Sequence, residues 1–193
     1  MKKAFRNSYG LSAIILHWLI AVLICCLLSL GYIMTQPDID PGLQFSLFQW
    51  HKSFGILVLA LAIIRGVHWC FASPVTPIAE LSPVERIASS VVHRCLLVLT
   101  LAVPLAGWAI ASVSPLNIPT FLFNLYVIPD LPLTRSDRAE EIWSYVHATL
   151  AYTVLCLVVL HIGAALYHHL WKRDPVLLRM LGKNGQRPLE KRP

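Results

Sequence analysis

Four long apolar stretches alternate with short polar segments along the chain, and each has the length of a membrane-spanning helix. They cover about 11–34, 46–71, 83–112 and 138–171. A helix needs roughly 20 mainly apolar residues to cross the ~30 Å hydrocarbon core of a bilayer. The pattern therefore predicts an all-α, integral membrane four-helix bundle that forms a single domain over residues 1–193.

Local signals indicate where these helices begin and what connects them. Ser82 and Glu85 are spaced as a capping box at the start of the third span, with a proline directly after the serine. Residues 114–136 hold four prolines and several aromatic residues, which is typical of a long loop that covers the outer surface. Residues 174–193 are predicted to form a short amphipathic tail at the inner surface.

Composition agrees with a membrane protein, and the distribution of charge argues against a nucleic-acid-binding protein. Charged residues make up 13% of the chain, whereas a soluble domain carries about 25%. The net charge is +6, but the basic residues concentrate before the first span and after the last, and residues 35–45 contain no Lys or Arg. This positive-inside pattern predicts that both termini are cytoplasmic. Basic ends there interact with anionic membrane lipid rather than with nucleic acid.

Two features argue against a secreted, disulfide-linked protein. The first span is longer than the ~7–15-residue apolar core of a cleaved signal peptide, so we interpret it as a membrane helix. All five cysteines lie within the apolar spans, which argues against a disulfide framework. The sequence also lacks a Cys-x-x-Cys-His motif, so a covalently attached c-type haem is not expected.

The fourth span contains two histidines whose spacing is informative. His147 and His161 lie fourteen positions apart in a run of Leu, Val and Ala. Fourteen residues turn a helix by about 1400°, roughly 40° short of four full turns, and advance it by about 21 Å. The two imidazoles therefore leave one face of the helix, one near each edge of the hydrocarbon core.

Depth in the membrane pairs these two histidines with two others. The first span begins at the inner side, which puts His17 at the depth of His161, and the second begins at the outer side, which puts His51 at the depth of His147. An iron porphyrin with one imidazole above and one below needs this arrangement. The sequence therefore predicts two stacked haems, the inner one ligated by His17 and His161 and the outer one by His51 and His147.

A structural role or a zinc site is the alternative for these histidines. A single histidine in a membrane helix more often makes an interhelical hydrogen bond than binds a cofactor, and imidazole is also a common zinc ligand. Zinc gathers its ligands at one point, whereas these histidines form two separated pairs, which favours haem. A small residue, with room beside it for a porphyrin edge, follows each of the four by four positions: Ala21, Gly55, Ala151 and Ala165.

Further candidates lie at inner depth. Arg65 is a candidate partner for a haem propionate, because an intramembrane charge indicates function by default. His93 and Arg94 are candidates for contact with a propionate or a quinone carbonyl, although snorkelling toward the membrane surface explains them equally well. His168 shares the helix face of His161 and is a candidate for a propionate contact or for proton handling, with an interfacial anchor as the alternative.

Three segments resemble the bacterial cytochrome b561 family. They are YGLSAIILHW near the start, HKSFGILVLALAIIR in the second span, and HATLAY followed by LHIGAALYHHLWKRDPVLLRM at the end. The resemblance covers nearly the whole chain and is most specific in the final segment. It implies a four-helix cytochrome of the inner membrane with two non-covalent b-type haems, whose ligand positions fall on His17, His51, His147 and His161.

The resemblance also implies electron transfer. Family members exchange electrons with the ubiquinone pool, and some oxidise superoxide at the outer surface and pass the electron to ubiquinone. Positive charge attracts an anionic donor, and Lys52, beside an outer ligand, is a candidate contact for such a donor, a propionate or a quinone. Acidic residues outnumber Lys52, Arg135 and Arg138 around the outer loops, so the sequence leaves the donor open.

Two rival hypotheses use the same histidines. A membrane-anchor cytochrome of a hydrogenase would accept electrons from a soluble partner, and copurification with that partner would identify it. A non-redox metal transporter or sensor would be colourless. The sequence also leaves the oligomeric state open, including a homodimer.

Overall fold

The computed structural model describes residues 9–72 and 81–182, and most of them are helical. The four long helices are α1 (Leu11–Ile33), α2 (Pro41–Phe71), α3 (Pro83–Val113) and α4 (Asp137–Tyr167). Smaller elements are the strands β1 (Thr120–Leu122) and β2 (Tyr126–Ile128), a π-helical turn (His168–Lys172) and α5 (Val176–Met180). The all-α four-helix membrane bundle predicted from the sequence is confirmed.

All four long helices are long and apolar enough to cross a membrane, because each contains an 18-residue stretch with a mean hydropathy of 2.0 or more. Few of their side chains are buried in the protein. Within the described chain, α1 buries only Ile20 and α4 only Val154. Their other apolar side chains are half-buried or exposed, which suits a bundle surrounded by lipid rather than by water.

The helices pack in chain order. Close backbone approach joins α1 to α2, α2 to α3 and α3 to α4, the last pair most extensively. The buried core is centred on α2 and α3, where Ala62, Ala106 and Ala109 are almost inaccessible to solvent. Small residues let membrane helices approach closely, since dispersion contacts rather than the hydrophobic effect hold them together.

Helix α2 begins at Pro41, five residues before the start that apolarity predicts. Asp40 caps it, because its carboxylate accepts a hydrogen bond from the Leu43 N–H at 3.0 Å, and Pro41 suits the first helical position. At the start of α3 the predicted capping box is confirmed: Ser82 and Glu85 each bond the other's backbone N–H. Polar capping therefore extends α2 beyond its apolar run.

The segment between α3 and α4, predicted only as a loop, contains a β-hairpin. Strands β1 and β2 pair antiparallel, with Thr120 opposite Ile128. Phe123 and Asn124 in the turn have positive φ angles of 50° and 58°. Each strand has three residues, too few for an alternation of polar and apolar positions to reveal it.

Polar side chains of α2 and α3 hold this segment over one end of the bundle. Ser53 Oγ lies 2.7 Å from the Phe121 carbonyl oxygen and accepts a hydrogen bond from the Phe123 N–H at 3.1 Å. On the other side, the Trp108 indole N–H donates to the Pro129 carbonyl at 3.0 Å. The hairpin is thus a cover fixed to two helices, at the end that the predicted topology makes the outer one.

At the opposite end, called the inner end, the chain folds back beneath α4. After the π-helical turn, Arg173 adopts a left-handed conformation with φ 55°, which reverses the chain into α5. Lys172 of the turn forms an ion pair with Glu85 of α3, and the Trp18 indole N–H donates to the Met180 carbonyl at 2.8 Å. The described part of the predicted tail therefore closes against α1, and residues 183–193 lie outside the described residues.

Candidate haem sites

The outer histidine pair joins α2 to α4. The ring centres of His51 and His147 are 6.2 Å apart, and the ring planes are inclined at 76°. His147 is oriented by α3, because its Nδ1 lies 2.9 Å from the Val103 carbonyl oxygen. A carbonyl can only accept, so Nδ1 carries the proton and donates, and Nε2 is left free to bind a metal.

Two glycines make room for these rings. A Cβ atom on Gly31 of α1 would lie 3.3 Å from His51 Cε1, and one on Gly107 of α3 would lie 3.2 Å from His147 Cε1. Such distances are tighter than normal contacts of a Cβ atom. Each outer imidazole therefore packs its Cε1 edge against the bare backbone of a neighbouring helix.

The inner pair joins α1 to α4. The ring centres of His17 and His161 are 6.1 Å apart, and the planes are inclined at 71°. Arg65 of α2 reaches this pair, with Nη1 at 3.2 Å from His17 Nδ1. A guanidinium only donates, so His17 Nδ1 accepts from Arg65 in this arrangement and Nε2 carries the proton, which an iron bound at Nε2 would displace. The inner pair thus combines imidazoles of two helices with the cation of a third.

The separation within each pair fits two imidazoles on opposite faces of one iron. A metal–imidazole bond is about 2 Å long and the ring centre lies about 1 Å further out, so opposite ligands have ring centres about 6 Å apart. Three or more His, Cys, Asp or Glu arranged to hold one metal ion do not occur within residues 9–72 and 81–182. Two-imidazole sites therefore suit a porphyrin, which supplies the other four nitrogen ligands, better than they suit zinc.

Two further observations favour a cofactor over hydrogen bonding between helices. His51 Nδ1 is buried without a hydrogen-bond partner among the described residues, which is unusual for a histidine whose role is structural. A Cβ atom on Gly55, one turn after His51, would meet no atom within 4 Å, as a porphyrin edge at this position requires. The described residues therefore fit haem.

Of the remaining candidates, His93 comes closest to a ligand pair. Its ring centre lies 5.0 Å from that of His161, at an interplanar angle of 89°, and its Nδ1 lies 2.5 Å from the Ser89 carbonyl oxygen. The neighbouring Arg94 is exposed. His93 therefore lies beside His161 but outside the two predicted ligand pairs.

Two other candidates have partners within the protein. His168 Nδ1 lies 2.5 Å from the buried carboxylate of Asp174, a pairing that the sequence did not indicate. Lys52 interacts electrostatically with Asp130, which also forms a 2.6 Å ion pair with Arg135. Asp130 thus acts on both Arg135 and Lys52, and Lys52 directly follows His51 of the outer pair.

Several groups that contact the outer histidines were not predicted from the sequence. They lie on helices other than those that carry the histidines. Gly31, Gly107 and the Val103 carbonyl contact the outer rings from α1 and α3. The small residues predicted to make room for a porphyrin lie one turn from each histidine on its own helix. A glycine in an apolar span is a weak signal, because many membrane helices carry glycine for packing alone.

Comparison with known proteins identifies the family. A family model described as prokaryotic cytochrome b561 matches residues 8–183. The chain belongs to this family. Cytochrome b561 homolog 2 of Escherichia coli (strain K12) is 30% identical over 187 residues, covering 94% of this chain and 97% of the relative. Homolog 1 of the same organism is 24% identical over 175 residues, covering 91% and 97%.

A third relative carries a more specific name. The probable superoxide oxidase CybB of Yersinia pestis is 28% identical over 179 residues, covering 92% of this chain and 98% of the relative. Family membership and the four spanning helices make this protein a multi-pass bacterial membrane cytochrome that binds b-type haem and takes part in electron transfer. The resemblance to cytochrome b561 noted from the sequence is confirmed.

Proposed function

We propose that this cytochrome transfers single electrons across the bacterial inner membrane through two b-type haems and exchanges them with ubiquinone. The observation that carries the proposal is the presence of two imidazole pairs, with ring centres 6.1 and 6.2 Å apart. The pairs share α4, where fourteen residues separate His147 from His161 by about 21 Å along the helix axis. Two haems at these positions would form a path from one membrane surface to the other.

The chain's own residues would bind and orient the cofactors. Haem iron supplies one-electron redox chemistry. His17, His51, His147 and His161 would hold the two irons, and the Val103 carbonyl fixes the ring orientation of His147. The hairpin covers the outer end, which limits the access of water there. A proton-transferring residue is not needed for movement of the electron between the haems.

Superoxide is the electron donor that we propose at the outer surface. Lys52 directly follows the predicted outer ligand His51 and is a cation beside the outer pair, whereas the charge of Arg135 is paired with Asp130. Positive potential of this kind attracts an anionic donor. Two superoxide ions would each lose one electron and become O2, and the two electrons with two protons would convert ubiquinone to ubiquinol. The His168–Asp174 pair at the inner end is a candidate to deliver those protons.

Absorption spectra of purified variants test the two-haem proposal. The wild-type protein should contain two haems per chain and give the sharp reduced α band of bis-imidazole b-type haem. His147→Ala should lose the outer haem and His161→Ala the inner haem, each retaining one. The matched control is His68→Ala, because His68 instead bonds Ser12 at 3.0 Å, and it should retain both. A colourless wild-type protein contradicts the proposal, and so does loss of the same haem in both ligand variants.

Quinone reduction by superoxide tests the donor and acceptor. Purified protein should reduce a soluble ubiquinone analogue when superoxide is generated, at a rate that falls as salt screens the cations. Asp130→Asn should raise this rate at low salt, and Lys52→Gln should lower it. Reduction only after addition of a copurifying hydrogenase would support the membrane-anchor hypothesis and contradict superoxide as donor.

A further inference from the structure

The two histidine pairs have polar neighbours of opposite character. On the outer side, His147 Nδ1 lies 2.9 Å from the Val103 carbonyl oxygen. On the inner side, His17 Nδ1 lies 3.2 Å from a guanidinium nitrogen of Arg65. A carbonyl only accepts hydrogen bonds, whereas a guanidinium only donates them and is always charged. One pair therefore adjoins an electron-rich oxygen and the other a permanent cation.

The charge of Arg65 is not neutralised by a carboxylate in the described part of the chain. The acidic side chains at the inner end have other partners, since Glu85 pairs with Lys172 and Asp174 with His168. Arg65 is also partly buried, where a charge acts over a longer distance than it does in water.

We propose that Arg65 raises the reduction potential of the inner haem above that of the outer haem, so that electrons move inward downhill. The proposal rests on the two-haem function proposed above. Reduction of ferric haem removes one positive charge, and a nearby fixed cation favours this change. At the outer pair, donation from His147 to the Val103 carbonyl makes the imidazole more basic, which stabilises the ferric state. Both contacts favour transfer of one electron from the outer haem to the inner, with no bond formed or broken.

Single-haem variants measure the order of the potentials without altering Arg65. In potentiometric titrations followed at the α band, the haem retained in His147→Ala, the inner one, should have the higher potential. The haem retained in His161→Ala, the outer one, should have the lower. Equal or reversed potentials overturn this proposal and leave the two-haem function standing, whereas a protein that binds no haem contradicts both.

Substitution of Arg65 tests the cause. Arg65→Gln should lower only the higher of the two reduction potentials. The expected change shifts the distribution of electrons between the two haems about tenfold, which corresponds to about 59 mV for a one-electron couple. Arg65→Lys keeps the charge and should keep most of the difference. Lys52→Gln is the matched control, because Lys52 directly follows His51 of the outer pair, and it should leave the higher potential unchanged.

The same titrations distinguish an electrostatic role of Arg65 from a structural one. A structural role would reduce the haem content of Arg65→Gln but leave the potential of the retained haem unchanged, and that result overturns the proposal. In the His147→Ala background Arg65→Gln should still lower the potential of the remaining haem, and in the His161→Ala background it should not. A shift confined to the outer haem also overturns the proposal. Arg65→Gln could instead lose the inner haem altogether. The potentials measured in His147→Ala and His161→Ala then decide whether the inner haem has the higher potential.

Discussion

Two glycines determine how closely the outer histidines approach the neighbouring helices. Gly31 and Gly107 present bare backbone to His51 and His147. A Cβ atom on Gly31 would lie 3.3 Å from His51 Cε1, and one on Gly107 would lie 3.2 Å from His147 Cε1. Both imidazoles belong to pairs whose ring separation fits one metal ion, so a shift of a few tenths of an ångström at either ring changes the metal–ligand distance. The role of a glycine here is to provide space beside a ligand rather than a special backbone conformation.

Gly107→Ala should therefore weaken outer haem binding. The added methyl group would press on His147 Cε1 at 3.2 Å and Nδ1 at 3.3 Å, so the ring must move away from Val103 or from the iron. We expect loss of outer haem or a shift of its absorption band, with the inner haem unchanged, as measured by haem content and low-temperature spectra. Gly66→Ala is the matched control, since a Cβ there meets no atom within 4 Å; equal effects of the two substitutions would refute this role.

At the scale of elements, the hairpin shows how short strands escape sequence analysis. Its strands have three residues each, and it is held by Ser53 and Gln49 of α2, which lie one helical turn apart on one face. Serine and glutamine in a membrane helix predict a polar contact but not its partner. The partner, Phe121, is 68 residues away along the chain, so only the packing of α2 against the hairpin reveals it.

Ser53→Ala should loosen this cover. The substitution removes a hydrogen-bond donor from the Phe121 carbonyl and an acceptor from the Phe123 N–H. Leaving buried backbone groups unpaired costs about 1–3 kcal/mol, and these part-buried groups should lie at the lower end of that range. We expect faster amide hydrogen exchange in residues 120–128 and a lower unfolding temperature in detergent. Ser29→Ala, which removes only a bond to the Cys25 carbonyl within α1, should have little effect, and unchanged exchange in Ser53→Ala would argue against this anchoring.

At the scale of the whole molecule, histidine side chains connect parts of the bundle that backbone packing does not. Close backbone approach follows chain order from α1 to α4, yet His161 of α4 meets His17 of α1, and His147 of α4 meets His51 of α2. A cofactor held by these rings would bridge helices that are otherwise in sparse contact within the described residues. Binding to the folded bundle alone would then stabilise it.

Removal of haem should accordingly destabilise the protein. We expect apoprotein prepared from haem-deficient cells to unfold at a lower temperature than the holoprotein, with the single-haem variants His147→Ala and His161→Ala in between. Thermal unfolding in detergent, followed by the fluorescence of the six tryptophans, measures the order. Addition of haemin to the apoprotein should restore the unfolding temperature, whereas identical unfolding of apoprotein and holoprotein would show that the cofactor does not hold the helices together.

The sequence by itself determined the properties that follow from position along one chain. Four apolar stretches predict four membrane spans. The fourteen-residue spacing of His147 and His161 predicts that both side chains lie on one helix face at two depths in the membrane, because helical rise and rotation per residue are nearly constant. Chain direction then assigns His17 and His51 to those depths. The structure brings together both predicted pairs, while their role as iron ligands stays a prediction for the spectra to test.

Only the tertiary structure decided which groups surround those pairs. The contacts of Gly107 with His147, Arg65 with His17 and His93 with His161 all join different helices. They depend on how each helix is rotated about its axis and how closely it approaches its neighbours, and apolar side chains that face lipid specify neither. The same packing placed a carbonyl beside one pair and a cation beside the other. The contrast between the two proposed haems is therefore a property of the assembled bundle.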